Sequence, residues 1–334
     1  MKYLDLWSFI LTSLQNKRAV ALLCVAENTK GSPGRQNFKM AINALGHKIG
    51  TIGGGIMEYK LLEKAKAFLA SRASVQLCIP QDHKKEFSKF PSGMICSGSQ
   101  LILIHTIFDD NTAFMDSLQT LLGNPAHQSM SLYLSNEQIA IVENTENAEQ
   151  KQNWGFKKTD AKTWVYREVL RPSMYIYIVG GGHVGLALSK VLSLMDTYIT
   201  VFDHRENLDT ILKNQSADRI IIGSYEKIGQ YIYESERSYG LVVSTSFKTD
   251  EQGTKALLTK RLRYLGMMGS QAKIGQIFSN LRKAGFTEEQ LRQIKAPIGL
   301  PIKSRTVDEI GISIAAELIQ EKNKIENIAR NMSF

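Results

Sequence analysis

Cysteine is scarce in this chain. Three occur in 334 residues, Cys24, Cys78 and Cys96, far apart and without CxxC spacing, which excludes a disulfide framework and a structural zinc site. No apolar run approaches the roughly 20 residues that span a bilayer. The start, MKYLDLWSFILTSLQNKR, has the spacing of an amphipathic helix rather than a signal peptide, so a cytoplasmic protein with no membrane partner is expected. GxSxG, HExxH and Walker motifs are all missing; no hydrolase or kinase assignment follows, and no catalytic residue is assigned. His47, His83, His105, His127 and His204 have no partner at ligand spacing, so no histidine metal set can be drawn.

Negative charge is in the minority: 41 Lys and Arg stand against 32 Asp and Glu, a net charge of +9. Residues 254–334 alone hold 14 basic and 7 acidic residues. Such a field is either a solvated surface or an attractor for a phosphate-bearing anion. The basic positions alternate with apolar helix positions and no stacking aromatics are interleaved, so a nucleic-acid partner is not expected.

The most informative stretch is YIYIVGGGHVGLALSKVLSLMDTYITVFD, residues 175–203. An apolar β-type run, Tyr175 to Val179, leads into Gly180, Gly182 and Gly185 at GxGxxG spacing. A helix pattern follows, with Val184, Ala187, Leu188, Val191 and Met195 on one face. A second strand, Tyr198 to Phe202, ends in Asp203, where a ribose hydroxyl would find an acceptor. Side chains at Gly180 or Gly182 would hold a pyrophosphate away from the backbone, and one at Gly185 would push helix off strand. The helix N-terminus adds unpaired N–H groups and a partial positive charge. His183, inside the loop, either reaches a phosphate or base or faces solvent. Further buried parallel strands are expected at 219–222, 240–244 and 263–267, and capping boxes at Thr287/Gln290 and Thr306/Glu309.

The N-terminal part reads as an α/β unit of mixed sheet: helix 4–14, strands 19–26, 38–44 and one ending at 51–52, helix 57–70, strands 75–79 and 100–107, helix 113–122, then strands 131–134 and 138–142. Gly53, Gly54 and Gly55 sit between a strand and a helix that carries Glu58, either an anion-accepting turn or a tight connection in which Glu58 complements the helix dipole. Cys96 lies in MICSGS, where small residues would leave its thiol beside backbone donors and favour the thiolate, a soft ligand; the alternative is a buried, inert thiol. Cys24 and Cys78 fall in apolar runs and read as core. The turn Gly31-Ser32-Pro33-Gly34-Arg35 with Lys39 is a weaker anion candidate. Residues 143–160 are polar and aperiodic. The expected division is therefore 1–125, a linker or hairpin region 126–172, and a doubly wound parallel Rossmann-type domain 173–334.

Taken together, GTIGGGIMEYKLLEKAKAFL (50–69), GMICSGSQ (93–100), IVGGGHVGLAL (178–188) and the long segment 264–319 resemble the XdhC/CoxF family, accessory proteins that bind molybdenum cofactor and deliver it to xanthine dehydrogenase-type enzymes. The resemblance implies an N-terminal accessory domain, a C-terminal Rossmann domain, a homodimer, and a chaperone that holds molybdopterin while a cysteine desulfurase sulfurates it. It places cofactor contacts at Gly53, Gly54, Gly55, Glu58, Cys96 and Ser270, with Cys96 able to meet the metal of the bound cofactor. The family's cysteine-glycine-glycine turn is here Cys96, Ser97, Gly98; its GSRRK is Gly269-Ser270-Gln271-Ala272-Lys273; its Thr-His-Asp is Thr245-Ser246-Phe247; and Ile56 follows the triple glycine where some members carry cysteine.

Three functions remain open on the sequence: a cofactor insertion factor rather than a turnover enzyme, an NAD(P)-dependent oxidoreductase using Gly180, Gly182, Gly185 and Asp203, and a binding-defective regulator or scaffold. Asp203 favours NAD over NADP, and Arg205 beside it softens that preference.

Overall fold

The computed structural model describes residues 2–82, 98–123, 130–144, 155–160 and 163–331, with side chains through 324. The chain forms two compact units, 4–171 and 172–334 together with the first three residues.

The first unit begins with α1 (Asp5–Gln15), whose Leu6, Ile10 and Leu14 fall on one buried stripe. It continues through β1 (Val20–Asn28), β2 (Lys39–Asn43), β3 (Lys48–Gly50), α2 (Gly55–Ala70), β4 (Gln76–Asp82), β5 (Ser99–Ile107) and α3 (Thr112–Gly123). The five strands lie in the order β3-β2-β1-β5-β4. Every pairing is antiparallel, so the sheet expected as mixed is not. Short hairpin connections such as β2 to β3 impose that direction, whereas parallel neighbours need a long crossover. Strand β1 is buried on both faces: Val20, Leu22, Cys24 and Ala26 join one core with α1 and α3, and Ala21, Leu23 and Val25 join another with Met57, Leu61 and Ala65 of α2. Each fully buried Leu or Ile stabilises the unit by roughly 1.5–3 kcal/mol.

Of the linker or hairpin region expected at 126–172, the described residues take the hairpin form. They form β6 (Met130–Ser135), β7 (Ile139–Glu143), β8 (Phe156–Lys158) and β9 (Trp164–Leu170), an antiparallel sheet ordered β7-β6-β9-β8. Alternate residues Leu132, Leu134, Tyr166 and Leu170 enter the same core as α1, which makes the sheet integral to the unit.

The second unit runs β10 (Met174–Val179), α4 (His183–Leu192), β11 (Thr197–Asp203), α5 (Asp209–Leu212), β12 (Arg219–Ile222), a 3-10 helix (Tyr225–Tyr231), β13 (Ser235–Val242), α6 (Phe247–Leu258), β14 (Leu262–Met267), α7 (Gln271–Lys283), α8 (Glu288–Arg292), β15 (Ile294–Lys295) and α9 (Val307–Asn331). Its six strands are ordered β12-β11-β10-β13-β14-β15 and all pair in parallel. This is the doubly wound Rossmann order, whose direction reverses between β10 and β13 and opens a crevice at the strands' carboxyl ends. Both expected capping boxes form: Thr287 and Gln290 cap α8, and Thr306 and Glu309 exchange backbone contacts ahead of α9.

Candidate functional site

In the first unit the triple-glycine turn joins β3 to α2. Gly53, Gly54 and Gly55 have φ of 128°, 75° and 69°, conformations that residues with a Cβ rarely adopt. Gly53 is also pressed so close to the neighbouring turn that a Cβ would lie 2.6 Å from the Gly34 nitrogen. Glu58, one turn into α2, folds back over this loop. Its Oε2 accepts from the Thr51 hydroxyl at 2.6 Å, the Ile52 amide at 3.0 Å and the Gly54 amide at 3.0 Å. Burial pushes the Glu58 carboxyl up, and the bonds from Thr51, Ile52 and Gly54 outweigh it, holding the group below its usual range. Of the glycine amides expected to receive an outside anion, that of Gly54 therefore already faces an internal one, and that of Gly53 donates to the Thr51 hydroxyl at 3.1 Å.

Other sequence candidates gather around this turn. A Cβ on Gly34 would lie 2.1 Å from the Ile52 carbonyl oxygen, and one on Gly98 would lie 2.3 Å from the Ser32 nitrogen. Gln100 Nε2 donates to that same Ile52 carbonyl at 3.0 Å. Thus residues 31–34, 51–58 and 98–100 meet at one end of the sheet, although about 70 residues of sequence separate the outermost. Lys39 leaves the group to pair with Glu168 at 2.6 Å, and Arg35 is exposed. Cys96 and Ser97 lie outside the described residues. Burial raises the Cys24 thiol to about 12 and the Cys78 thiol to about 11, so both are protonated at neutral pH; Cys24 is a core residue as expected, whereas Cys78 is only half-buried against the core.

In the second unit a Cβ on Gly180 would lie 2.7 Å from the Ser244 nitrogen, which presses the segment after β10 against the segment after β13. A Cβ on Gly185 would lie 2.1 Å from the Gly180 oxygen, so the helix start touches the strand end. Gly182 stands apart: the nearest atom to an added Cβ is Thr245 Cγ2, 3.8 Å away. His183 beside it is exposed. This is the backbone-approach geometry expected of the glycine pattern.

Asp203 has a different situation from the one expected. It is fully buried. Its Oδ2 accepts from the Gly181 amide at 2.7 Å and Arg205 Nη2 at 2.8 Å, while Oδ1 accepts from the Arg205 amide at 3.0 Å and Nε at 2.9 Å. Burial raises the carboxyl, and the Arg205 and Gly181 donors prevail and hold it below its usual value. Arg205, read from the sequence as a neighbour that tempers NAD preference, occupies both oxygens that a ribose would need.

Across the crevice lies a cluster that sequence reasoning did not find. Asp250, in the first turn of α6, is fully buried. Its Oδ1 accepts from the Ser244 amide at 3.0 Å and from the Ser244 hydroxyl, and its Oδ2 pairs with Lys273 Nζ. Burial pushes this carboxyl above its usual value against the pull of Lys273 and Ser244. An acid in a helix's first turn after a buried strand was the available signal, but its polar surroundings, SFKTDEQ, suggest an exposed helix. Ser246 and Ser270 cap α6 and α7, accepting from the Thr249 and Lys273 amides, so Ser270 is engaged as a cap. Among the described residues no group of three or more His, Cys, Asp or Glu side chains is placed to hold a metal ion, and no helix is long and apolar enough to cross a membrane.

Comparison with known proteins matches residues 176–318 to the family described as XdhC Rossmann domain and residues 13–79 to the XdhC and CoxI family. The uncharacterized protein YqeB of Escherichia coli (strain K12) is 23% identical over 297 residues, 89% of this chain and 42% of that protein, so the chain spans less than half of that relative. A Bacillus subtilis (strain 168) protein described as a probable xanthine dehydrogenase subunit is 20% identical over 334 residues, covering 95% of this chain and 97% of that protein. A solved structure of a xanthine dehydrogenase from Bacillus halodurans shares the fold with a TM-score of 0.73 and 20% identity, over 97% of this chain and 96% of that one. The two family matches fall one in each unit and together span more than half of the sequence; the chain belongs to the XdhC and CoxI family.

Proposed function

We propose that this protein is an accessory factor for a xanthine dehydrogenase-type molybdenum hydroxylase, holding molybdenum cofactor as cargo and passing it to the enzyme. Family membership supports the accessory role, and the names of the Bacillus relatives support the link to xanthine dehydrogenase. The observation that carries the cofactor reading is the state of the Rossmann crevice. Its glycine turn leaves backbone approach open at Gly182 while its ribose acceptor, Asp203, is taken by Arg205. That combination suits a ligand with a phosphate and no adenosine ribose, which molybdopterin is and NAD(P) is not. The oxidoreductase alternative also needs an acid or base beside a nicotinamide, for which the sequence offers no candidate.

In this reading Gly182 and the first turn of α4 receive the phosphate, the Gly180 amide being taken by the Phe202 carbonyl at 2.8 Å. The soft end of the cargo, a dithiolene-held metal, calls for a thiolate. Cys24 is a buried and Cys78 a half-buried thiol, both held protonated, which leaves Cys96 as the favoured thiolate of the chain. The homodimer and the cysteine desulfurase partner rest on the family resemblance.

The test is native mass spectrometry of protein freshly isolated from cells that make molybdenum cofactor, together with maturation of a molybdenum hydroxylase by wild type and Cys96→Ala. Bound molybdopterin and impaired maturation by the variant are expected. Protein that neither carries nor takes up a molybdopterin species, with a variant that matures the enzyme as well as wild type, refutes the proposal.

A further inference from the structure

Strand β12 does not match its surroundings. Its sequence, Arg219-Ile220-Ile221-Ile222, has the unbroken apolar run of a strand covered on both faces, yet it forms an outer edge of the six-stranded sheet, with Ile220 37% and Ile222 41% exposed. Ile220 lies level with Val201 of β11, which is fully buried in one core with Leu188 and Leu192 of α4. Ile220 and Ile222 therefore continue that core outward. The crossover that should cover them, residues 204–218, holds only one helical turn, α5, whose Leu212 is itself 70% exposed.

The edge is also unprotected. An edge strand presents unpaired amides and carbonyls, and native chains blunt such edges with lysine, other charges or proline. Among the described residues β3 carries Lys48, β4 Pro80, β7 Glu143, β8 Lys157 and β15 Lys295. In β12 the single charge is drawn aside: the Arg219 guanidinium lies 5.3 Å over the Tyr231 ring, and Asp218, just before the strand, pairs with Lys2 at 3.1 Å. What is left is an uncharged apolar edge.

We propose that two copies of this chain associate through β12, the two strands running antiparallel about a two-fold axis at Ile221, so that two six-stranded sheets become one. A two-fold contact sets one patch against itself, so the patch has to be complementary to its own copy. Centred on Ile221, the pairing places Ile220 opposite the partner's Ile222 twice, on the face that also carries Leu212. Arg219 falls opposite the partner's Gly223, and no like charges meet. A charged partner finds nothing to recognise on this edge, whereas an identical edge supplies both the missing hydrogen bonds and the apolar cover. Four residues make a short ladder, so Leu212, Ile220 and Ile222 of each copy carry much of the contact. The inference gives a surface to the homodimer and draws nothing from the cargo reading.

The experiment weighs full-length protein by size-exclusion chromatography with light scattering at micromolar concentrations. Wild type is expected at twice 37.4 kDa. Ile220→Lys/Ile222→Lys changes two side chains already partly in solvent, so it should keep the wild-type circular dichroism while raising the dimer dissociation constant about tenfold or more. Leu45→Lys, at an exposed apolar residue of the first unit, should weigh the same as wild type. Cross-linking gives a second readout that needs no added charge. Directly opposed residues of an antiparallel pair have Cα atoms about 4.5–5.5 Å apart, within reach of a disulfide. Ile220→Cys/Ile222→Cys in a Cys96→Ser background should therefore form a covalent dimer on mild oxidation. A monomeric wild type, a folded double-lysine variant that dimerises as tightly as wild type, or a cysteine pair that yields no covalent dimer overturns the proposal. Molybdopterin carried by a monomeric wild type sinks this inference and leaves the cargo reading intact; dimerisation through β12 by protein that never carries molybdopterin does the reverse.

Discussion

Removing the Glu58 carboxylate should loosen the first unit by an amount set by the donors it leaves behind. Glu58→Ala strands the Ile52 amide, which is fully buried, and the half-buried Gly54 amide; the Thr51 hydroxyl can turn to water. An unpaired buried donor costs about 1–3 kcal/mol, so the loss should total about 2–4 kcal/mol once water partly serves Gly54. Glu58→Gln keeps an acceptor oxygen but gives up the charge, and since charge-assisted bonds are about twice as strong as neutral ones the loss should be nearer 1–2 kcal/mol. All three tryptophans, Trp7, Trp154 and Trp164, fall within residues 4–171, so their fluorescence during urea unfolding reports this unit alone. The pH dependence adds a second check. The carboxyl is held below its ordinary 4.5, so its contribution is complete above that value and disappears as pH falls through the lowered one. Wild type and Glu58→Ala should differ fully at pH 7 and converge in acid. A difference under about 0.5 kcal/mol at pH 7 would show that the turn does not depend on its internal anion.

His105 gives an independent acid-sensitive signal: buried against Trp164, with Nε2 donating to the Ser135 carbonyl at 2.8 Å, its pKa is pushed from 6.5 down to about 4 by burial. The unfolded chain takes up the proton first, so stability should fall between pH 6.5 and about 4, by about 3 kcal/mol, and urea midpoints of His105→Gln should be flatter over that range. Gly185→Ala must displace the Gly180 carbonyl 2.1 Å away and should cost the Rossmann unit about 2–3 kcal/mol; Gly182→Ala, at φ −69° with no close neighbour, should melt like wild type by circular dichroism yet weaken methyl phosphate binding. Native protein treated with iodoacetamide at pH 7.5 should show neither Cys24 nor Cys78 alkylated on a timescale that labels a model thiol, read by peptide mass spectrometry.

How far the sequence could be read depended on whether the information was local. The crossover of residues 175–203 is encoded by contiguous signals, an apolar run, three glycines and a helical stripe, and its strands appear as Met174–Val179 and Thr197–Asp203. The caps at Thr287 and Thr306 are equally local, since three residues carry the whole motif. Strand pairing in the first unit is not: β1 pairs with β5 some 80 residues on, and nothing in either segment states the direction. Side-chain destinations are hidden for the same reason. Glu58, Asp203 and Arg205 were visible as residues of interest, but that Glu58 turns back onto Ile52 and that Arg205 covers Asp203 are decided by rotamers in the folded chain. Asp250 was invisible because its ion-pair partner Lys273 arrives with α7, 23 residues later in the sequence.

The two glycine turns share a construction that bears on where a ligand can enter. Each has a carboxylate from its own chain bonded to its amides, Glu58 on Ile52 and Gly54, Asp203 on Gly181. An outside anion that displaced either carboxylate would leave a buried charge short of partners, and removing one member of such an arrangement typically costs about 3–5 kcal/mol. Displacement is therefore the poorer route. At the triple-glycine turn the space beside Gly54 is open, but its amide is already directed at Glu58. At the Rossmann turn the internal anion holds Gly181 while the open approach lies one residue on, at Gly182, toward Thr245 and the side of the crevice that carries Lys273. The first turn thus acts as a joint that fixes residues 31–34 and 98–100. The second keeps a face on which its own carboxylate and an incoming phosphate can coexist. Asp203→Asn should accordingly loosen the Rossmann unit while leaving methyl phosphate binding within about threefold, and a collapse of binding in a folded Asp203→Asn protein would return the ligand to the ribose side of the crevice.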